Sequence, residues 1–246
     1  MEILDSIFWL FEDAPPPGSK RVAVVIGRFN PPTKGHYELI NKVKTFIKAH
    51  PDLKLEASPV VVVIGDDKKE KTAEDMLKNP LSVHDRILFM QSSGQVNGVQ
   101  FTKAKNAFEA FTGLRNNDME PIAIAAGSDR AQDYLRILDQ YFKDGEKPIK
   151  HVKIEVGRDE DAVSTKKDVK ADSIDDTLAA MKDGDDPALE AVSGSLARRA
   201  AELGYFEEFA KLVGLESKPK LAKTLFNKVR KALAAGNAGK KKDEEE

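Results

Sequence analysis

Residues 22–36 read VAVVIGRFNPPTKGH: an unbroken apolar run, a glycine, a polar turn and the start of a helix. A continuous apolar run of this kind predicts a strand buried on both faces, as in a parallel sheet. Beyond the turn, apolar residues recur at helical spacing, at Tyr37, Leu39, Ile40, Val43, Phe46 and Ile47. The stretch therefore predicts a strand–turn–helix unit with a polar turn at the carboxyl end of the strand.

The same alternation continues along the chain. Four further strands are predicted at Val60–Ile64, around Val99 and Phe101, at Ile122–Ala126, and over Val152, Ile154 and Val156, with helical patterns between them. Strands separated by helical crossovers indicate a parallel sheet. We therefore predict an α/β fold, a Rossmann-like doubly wound parallel sheet of about five strands, with a helical C-terminal extension. Ligands of such sheets bind beyond the carboxyl ends of the strands.

Composition excludes several classes of protein. The chain has 246 residues, 39 Lys+Arg against 41 Asp+Glu, a net charge of -2 and no cysteine. The charge balance argues against a nucleic-acid partner, and the lack of cysteine excludes disulfides and thiolate sites. No apolar run approaches the roughly 20 residues of a membrane span. The apolar N-terminus opens with Glu2 and Asp5 instead of basic residues, so we expect a cytoplasmic protein without a signal peptide.

The turn after the first strand carries the residues suited to chemistry. Gly27 allows a tight turn and the close approach of a phosphate to the backbone. The loop amides and the first N–H groups of the helix form an anion site. His36 falls in the first helical turn, Thr33 offers a hydroxyl one turn earlier, and Lys34 adds a positive charge. This arrangement favours phosphate binding over covalent catalysis.

Two motifs resemble a known family. The segment GRFNPPTKGH is similar to the GxFxPxHxGH signature of the nucleotidyltransferase superfamily, also called cytidylyltransferase-like, with Thr33 in place of the first histidine. The segment VSGSLAR at 192–198 resembles the family's ISxTxxR, with Ser195 in place of threonine. Both lie where the family has them, after a strand and at a helix start. The resemblance implies a transfer of a nucleoside monophosphate from a nucleoside triphosphate, with release of pyrophosphate.

Other segments indicate which branch of the superfamily the sequence resembles. Ile64-Gly65, Asn79–Ser82 and Asp85-Arg86 resemble the pattern of archaeal-type nicotinamide-nucleotide adenylyltransferases, and residues 127–130 (GSDR) are similar to segments of phage and bacterial members. This resemblance favours adenylyl transfer from ATP to nicotinamide mononucleotide, a phosphorylated small-molecule acceptor. A CTP-dependent cytidylyltransferase and a catalytically silent protein of the same fold stay open as alternatives.

The resemblance implies roles for individual residues. His36, Thr33 and Arg198 are expected to be catalytic, and Mg²⁺ is expected to bridge the phosphates without assigned protein ligands. The expected nucleotide-binding residues are Gly27, Arg28, Phe29, Lys34, Gly35, Gly127, Asp129, Ser193 and Ser195. Arg199 is an alternative to Arg198 as the ligand. Arg86 is either a substrate residue or an exposed helix arginine, and Asp129 either binds a ribose or caps a helix.

Three regions are predicted along the chain. Residues 1–20 form an apolar segment and a proline linker, 21–215 the nucleotidyltransferase domain with a polar insertion at 157–190, and 216–246 a basic amphipathic helix with a frayed, charged tail. The apolar N-terminal segment and the stripe of Leu221, Leu225, Val229 and Leu233 need a partner surface. We expect both to pack against the βα body or against a neighbouring subunit of a homo-oligomer, and to take no part in phosphate chemistry.

Overall fold

The computed structural model describes residues 19–67, 71–141, 151–154, 171–184, 187 and 192–245. These residues form two compact units. The first unit contains 19–27, 39–64, 98–141 and 151–154, and the second contains the rest. The apolar segment at 1–14 lies outside the described residues, and the three predicted regions stay a prediction.

The first unit is built on a parallel sheet. Within the described residues it has five strands in the order β3-β2-β1-β4-β5, and every neighbouring pair is parallel. The strands are β1 (Lys20–Gly27), β2 (Val60–Ile64), β3 (Gln100–Ala104), β4 (Met119–Ala125) and β5 (Val152–Lys153). This confirms the predicted α/β, Rossmann-like parallel sheet of about five strands. Val156, expected in the last strand, lies outside the described residues.

Helices follow the strands as predicted, and some are longer than the predicted helical patterns. In the described part of the chain they are α1 (Lys34–Ala49), a 3₁₀ turn (Pro51–Leu53), α2 (Ala73–Lys78), α3 (Val83–Ser93), α4 (Ala107–Arg115), α5 (Ser128–Tyr141), α6 (Ala171–Lys182), α7 (Gly194–Leu203), α8 (Phe206–Leu212) and α9 (Pro219–Glu245). The prediction of a frayed C-terminal tail was wrong, because α9 stays helical to Glu245. None of the helices described is long and apolar enough to cross a membrane.

The core of the first unit explains the unbroken apolar runs. Val24, Val62 and Ile124 on the three central strands are completely buried, and α4 and α5 pack on the sheet through Phe111 and Leu138. The chain runs from β1 outward to β3 and then returns to β4, beside β1. The carboxyl ends of β1 and β4 therefore meet where the strand order reverses, the position at which sheets of this type bind ligands.

The core of the second unit is helical. The stripe on α9 lies in it: Leu225, Val229 and Leu233 are buried, and α9 packs on α2, α3, α7 and α8. The predicted polar insertion also contributes, since α6 buries Leu178 and Met181 in the same cluster. This helix is therefore part of the hydrophobic core, although it lies in the segment predicted as a polar insertion.

Candidate active site

The loop after β1 has an unusual backbone. Phe29 has a φ of 50°, in the left-handed region, although its ring is almost completely buried. A bulky residue in this conformation costs about 1–2 kcal/mol, so its surroundings must hold it there. The peptide bond between Asn30 and Pro31 is cis. The contacts on either side of Phe29 show what fixes the loop.

Asn30 joins this loop to the segment before α3. Its side-chain Nδ2 donates to the carbonyl of Leu81 (3.3 Å), and its Oδ1 accepts from the Leu81 amide (3.1 Å). Lys71 donates to the same Leu81 carbonyl (3.0 Å) and to that of Asn79 (2.6 Å). The Asn79–Ser82 pattern thus has a structural role, because it supplies the backbone to which Asn30 is bound.

Arg198 brings the second motif to the same loop. Its Nη1 donates to the carbonyl of Asn30 (2.7 Å), and its Nη2 donates to the hydroxyl of Ser195 (3.0 Å). Gly194 lies so close that a Cβ there would be 3.1 Å from the Asn30 oxygen. The two predicted motifs therefore meet within the second unit, at Asn30.

Arg199 points elsewhere. Its Nε and Nη2 each donate to the carboxylate of Asp175 (2.8 Å for both), and its Nη1 contacts Glu202 (3.0 Å). This ion pair joins α7 to α6. Of the two neighbouring arginines, Arg198 is the one that reaches the loop, in the register that the motif predicted.

Arg86 approaches the loop from α3. Its side chain is buried, with Nε donating to the carbonyl of Ser82 (3.1 Å) and Nη1 to the carbonyl of Arg28. The alternative of an exposed helix arginine was therefore wrong. A buried guanidinium that binds two backbone carbonyls is a structural support of the loop.

Positive charge is concentrated around these contacts. Burial lowers the pKa of Arg86 to about 10, an effect that Asp67 opposes and Arg28 increases. Burial, and then the charge of Arg28, also lowers the pKa of Arg198. Arg28 itself is exposed. The repulsion of Arg28 by each of the other two guanidinium groups suits an anionic ligand, which would relieve it.

Thr33 and His36 form a closed pair at the start of α1. The amide of Thr33 donates to Nδ1 of His36 (3.0 Å), and the Thr33 hydroxyl lies 2.9 Å from the same nitrogen. Because Nδ1 accepts, the proton of the neutral imidazole is on Nε2, which becomes a donor. The ring of Phe29 packs edge-on against the imidazole, with centroids 5.0 Å apart.

Thr33 was expected to hold a phosphate through its hydroxyl. The side chain is fully buried and the hydroxyl is bound to His36, so the structure places it where it orients the imidazole. A direct contact between Thr33 and a phosphate stays a prediction. Gly35 lies in the same first turn of α1, and Lys34 extends to Glu216, 2.6 Å away. The charge of Lys34 is therefore paired within the second unit.

The start of α7 carries two of the predicted nucleotide-binding residues, Ser193 and Ser195. The hydroxyl of Ser193 accepts from the amide of Leu196 (3.1 Å) and so caps the helix, while the Ser195 side chain is exposed. The first amides of a helix have no partner within it, which makes this end electropositive. Ser193 thus acts as a cap, and Ser195 is the hydroxyl next to Arg198.

Two predicted residues belong to the first unit. Gly127 follows β4, next to the end of β1, and its carbonyl accepts from the amides of Arg130 (2.9 Å) and Ala131 (3.2 Å). Gly27 ends β1. The placement of the Asp129 side chain lies outside what the structure describes, so both of its alternatives stay open. The sequence missed the roles of Asn30 and Lys71, which carry no pattern of their own.

One comparison with known proteins identifies the family of the chain. The model of the cytidylyltransferase-like family matches residues 24–200, which include both motifs and more than half of the chain. No individually curated protein matches the chain. The loop at Arg28–His36, the α7 start and the parallel sheet all lie within the matched range, and the chain therefore belongs to the cytidylyltransferase-like family of nucleotidyltransferases.

Proposed function

We propose that the protein transfers a nucleoside monophosphate from a nucleoside triphosphate to a phosphorylated acceptor, and that the reaction is adenylyl transfer from ATP to nicotinamide mononucleotide. The observation that supports the site is the hydrogen bond from Arg198 to the carbonyl of Asn30 (2.7 Å), which joins the two family motifs. The nucleotide and the acceptor are inferred from the resemblance of Asn79–Ser82 and Asp85-Arg86 to the adenylyltransferase branch.

The proposed chemistry is an in-line displacement at phosphorus. A phosphate oxygen of the acceptor attacks the α-phosphorus of the triphosphate, the bond from the α-phosphorus to the bridging oxygen breaks, and pyrophosphate leaves. Such a reaction needs positioning and stabilisation of negative charge more than covalent participation of the protein. In this proposal the loop amides and the guanidinium groups of Arg28 and Arg198 supply both.

His36 is the proposed donor to the reacting phosphate. Its Nδ1 accepts from the Thr33 amide, so the proton of the neutral imidazole is on Nε2, and in this proposal it stabilises charge on an α- or β-phosphate oxygen. The amides of Arg28 and Phe29 bind the α-phosphate in this proposal. Ser195, Arg198 and the start of α7 bind the β- and γ-phosphates.

The expected Mg²⁺ stays a prediction. Across the described ranges, no three His, Cys, Asp or Glu side chains come together as a metal site. The described residues therefore form no protein cage for the ion, and no step above depends on one. Mg²⁺ bound to nucleotides keeps waters and phosphate oxygens as ligands, so its contribution is measured by titrating the metal in the assay.

A CTP-dependent reaction is the second candidate within the enzyme class. The bases are discriminated by contacts that the family assignment does not specify. A catalytically silent nucleotide-binding protein is the third candidate. Both site residues required for phosphate chemistry, His36 and Arg198, are present and placed by hydrogen bonds, which favours an active enzyme.

A pyrophosphate-release screen tests the proposal. The purified protein is incubated with ATP or CTP, each combined with nicotinamide mononucleotide, sugar phosphates and alcohol phosphates, and the products are identified by mass. Release of pyrophosphate with formation of NAD⁺ from ATP is the expected result. Product formation only with CTP, or only with another acceptor, overturns the assignment to the adenylyltransferase branch. Triphosphate binding, measured by calorimetry, without any product leaves the silent nucleotide-binding candidate.

A further inference from the structure

The phosphate chemistry above does not use Arg86, although three parts of the sequence pattern converge on it. Gly65 and Asp67 follow β2, and Arg86 itself ends the Asn79–Arg86 segment. Arg86 is 3% exposed, so its guanidinium group is enclosed by protein. Its surroundings show what it does instead.

Gly65 provides the space for the guanidinium group. A Cβ added at this glycine would lie 2.4 Å from Nη2 of Arg86, 3.4 Å from its Cζ and 2.9 Å from Cγ2 of Val83. Contacts under 3.0 Å with a held group force something to move. A glycine is therefore required here, because the buried guanidinium lies against the backbone.

Asp67 and Ser82 fix the helix that carries Arg86. The carboxylate of Asp67 accepts from the amides of Val83 (2.6 Å) and His84 (3.2 Å), and the Ser82 hydroxyl accepts from the amide three residues later (2.9 Å). The Ser82 carbonyl in turn accepts from Nε of Arg86 (3.1 Å). The start of α3 is closed by these two side chains, so it holds Arg86 and does not bind an anion itself.

The bond from Arg86 to the Arg28 carbonyl sets the direction of one peptide group. In a planar trans peptide the carbonyl and the next amide point in opposite directions. Since the Arg28 carbonyl points at Arg86, the Phe29 amide points away from it. On the other side of Phe29, Arg198 holds the carbonyl of Asn30. Two arginines, Arg86 buried and Arg198 partly buried, thus bracket the left-handed residue, whose ring packs on His36.

We propose that Arg86 is a positioning residue, which aims the Phe29 amide at the α-phosphate and holds the ring on which His36 rests. This inference rests on the proposed function for the identity of the ligand. It assigns to Gly65 and Asp67 the role of holding Arg86. The fork of the guanidinium is needed, because the two carbonyls are bound by two different nitrogens, Nε and Nη1, which the single nitrogen of a lysine does not reproduce.

The first arm of the test measures the conformation of the loop in the absence of ligand. Amide resonances of Phe29 and ring resonances of His36 are compared by NMR in the wild type, Arg86→Gln, Arg86→Lys and Gly65→Ala. All three variants are expected to shift both sets of resonances. Arg199→Gln is the matched control and leaves them in place, because Arg199 is an arginine of the second unit whose hydrogen bonds within the described residues go to Asp175 and Glu202. Should Arg86→Gln fail to fold, the other two variants decide the result.

The second arm measures activity. A misdirected amide at the reacting phosphate costs about 10²-fold in kcat, while the dissociation constant of the triphosphate changes much less, because the Arg198 contacts persist. Arg86→Lys is expected to remain as impaired as Arg86→Gln. Full recovery in Arg86→Lys, or folded Arg86→Gln with unchanged resonances and kcat, overturns the positioning role. A wild type inactive with ATP and CTP refutes the proposed function alone, since the unliganded NMR comparison still decides the role of Arg86.

Discussion

Replacing Thr33 by valine separates two roles for this residue, orienting His36 or binding a phosphate. Valine keeps the branched shape of the fully buried side chain and removes only the hydroxyl. The structure places that hydroxyl 2.9 Å from Nδ1 of His36, and the Thr33 amide, 3.0 Å from the same nitrogen, is unaffected by the substitution. His36 therefore loses one of two donors and keeps its tautomer.

The expected loss is small. One hydrogen bond of this kind contributes about 1 kcal/mol net, which corresponds to about a fivefold fall in kcat and a similar cost in stability. His36→Ala removes the phosphate donor itself, so we expect a fall of about 10²–10³-fold in kcat with the fold intact. The two variants should thus differ by at least about tenfold in kcat.

The assay is pyrophosphate release under saturating triphosphate, with thermal unfolding measured in parallel. Thr45→Val is the matched control, because Thr45 lies on the same helix, is exposed and donates only to the backbone of its own helix. If Thr33→Val lost as much activity as His36→Ala while remaining folded, the hydroxyl would bind the phosphate directly and the orienting role would be refuted.

Three further predictions concern charge, packing and pH. Arg198→Ala should lower kcat by about 10²–10³-fold, whereas Arg199→Ala should keep near wild-type kinetics; equal losses would contradict the assignment. Gly236→Ala places a Cβ 2.9 Å from a backbone oxygen of α2, so it should lower the free energy of unfolding by about 1–3 kcal/mol in denaturant melts. Gly113→Ala adds a Cβ in open space on α4 and should raise the free energy of unfolding by about 0.5–1 kcal/mol. Burial raises the pKa of Tyr37 to about 12, so the unfolded chain loses its phenol proton first and stability should fall between pH 10 and 12; alkaline melts of Tyr37→Phe should lack this fall.

The sheet was predictable because its signal is local. Each central strand is an apolar run buried on both faces, so Val22–Ile26 and Val60–Ile64 are recognisable without knowledge of their neighbours. Helix α2 was missed because Ala73–Lys78 is short and buries no residue completely. The tail was misjudged because its charges suggested fraying, whereas the buried stripe of α9 anchors a helix that continues into it.

The site was predictable only as far as its motifs reach. The strand–turn–helix context identified the loop at Arg28–His36, and the register of the second motif selected Arg198 over Arg199. The partners of these residues are distant in sequence: Asn30 binds Leu81, and Lys34 pairs with Glu216. No local pattern encodes such contacts, so the sequence could not show that Lys34 is paired or that Arg86 supports the loop.

The central claim is that the triphosphate binds against the loop of residues 28–36 and the start of α7. A crystal structure of the protein with a non-hydrolysable α,β-methylene analogue of ATP and Mg²⁺ tests it most directly. We expect the α-phosphate within hydrogen-bonding distance of the Phe29 amide and of Nε2 of His36, with the β- and γ-phosphates at Ser195 and Arg198. Phosphates bound elsewhere, with His36 and Arg198 contacting no part of the nucleotide, would contradict the account.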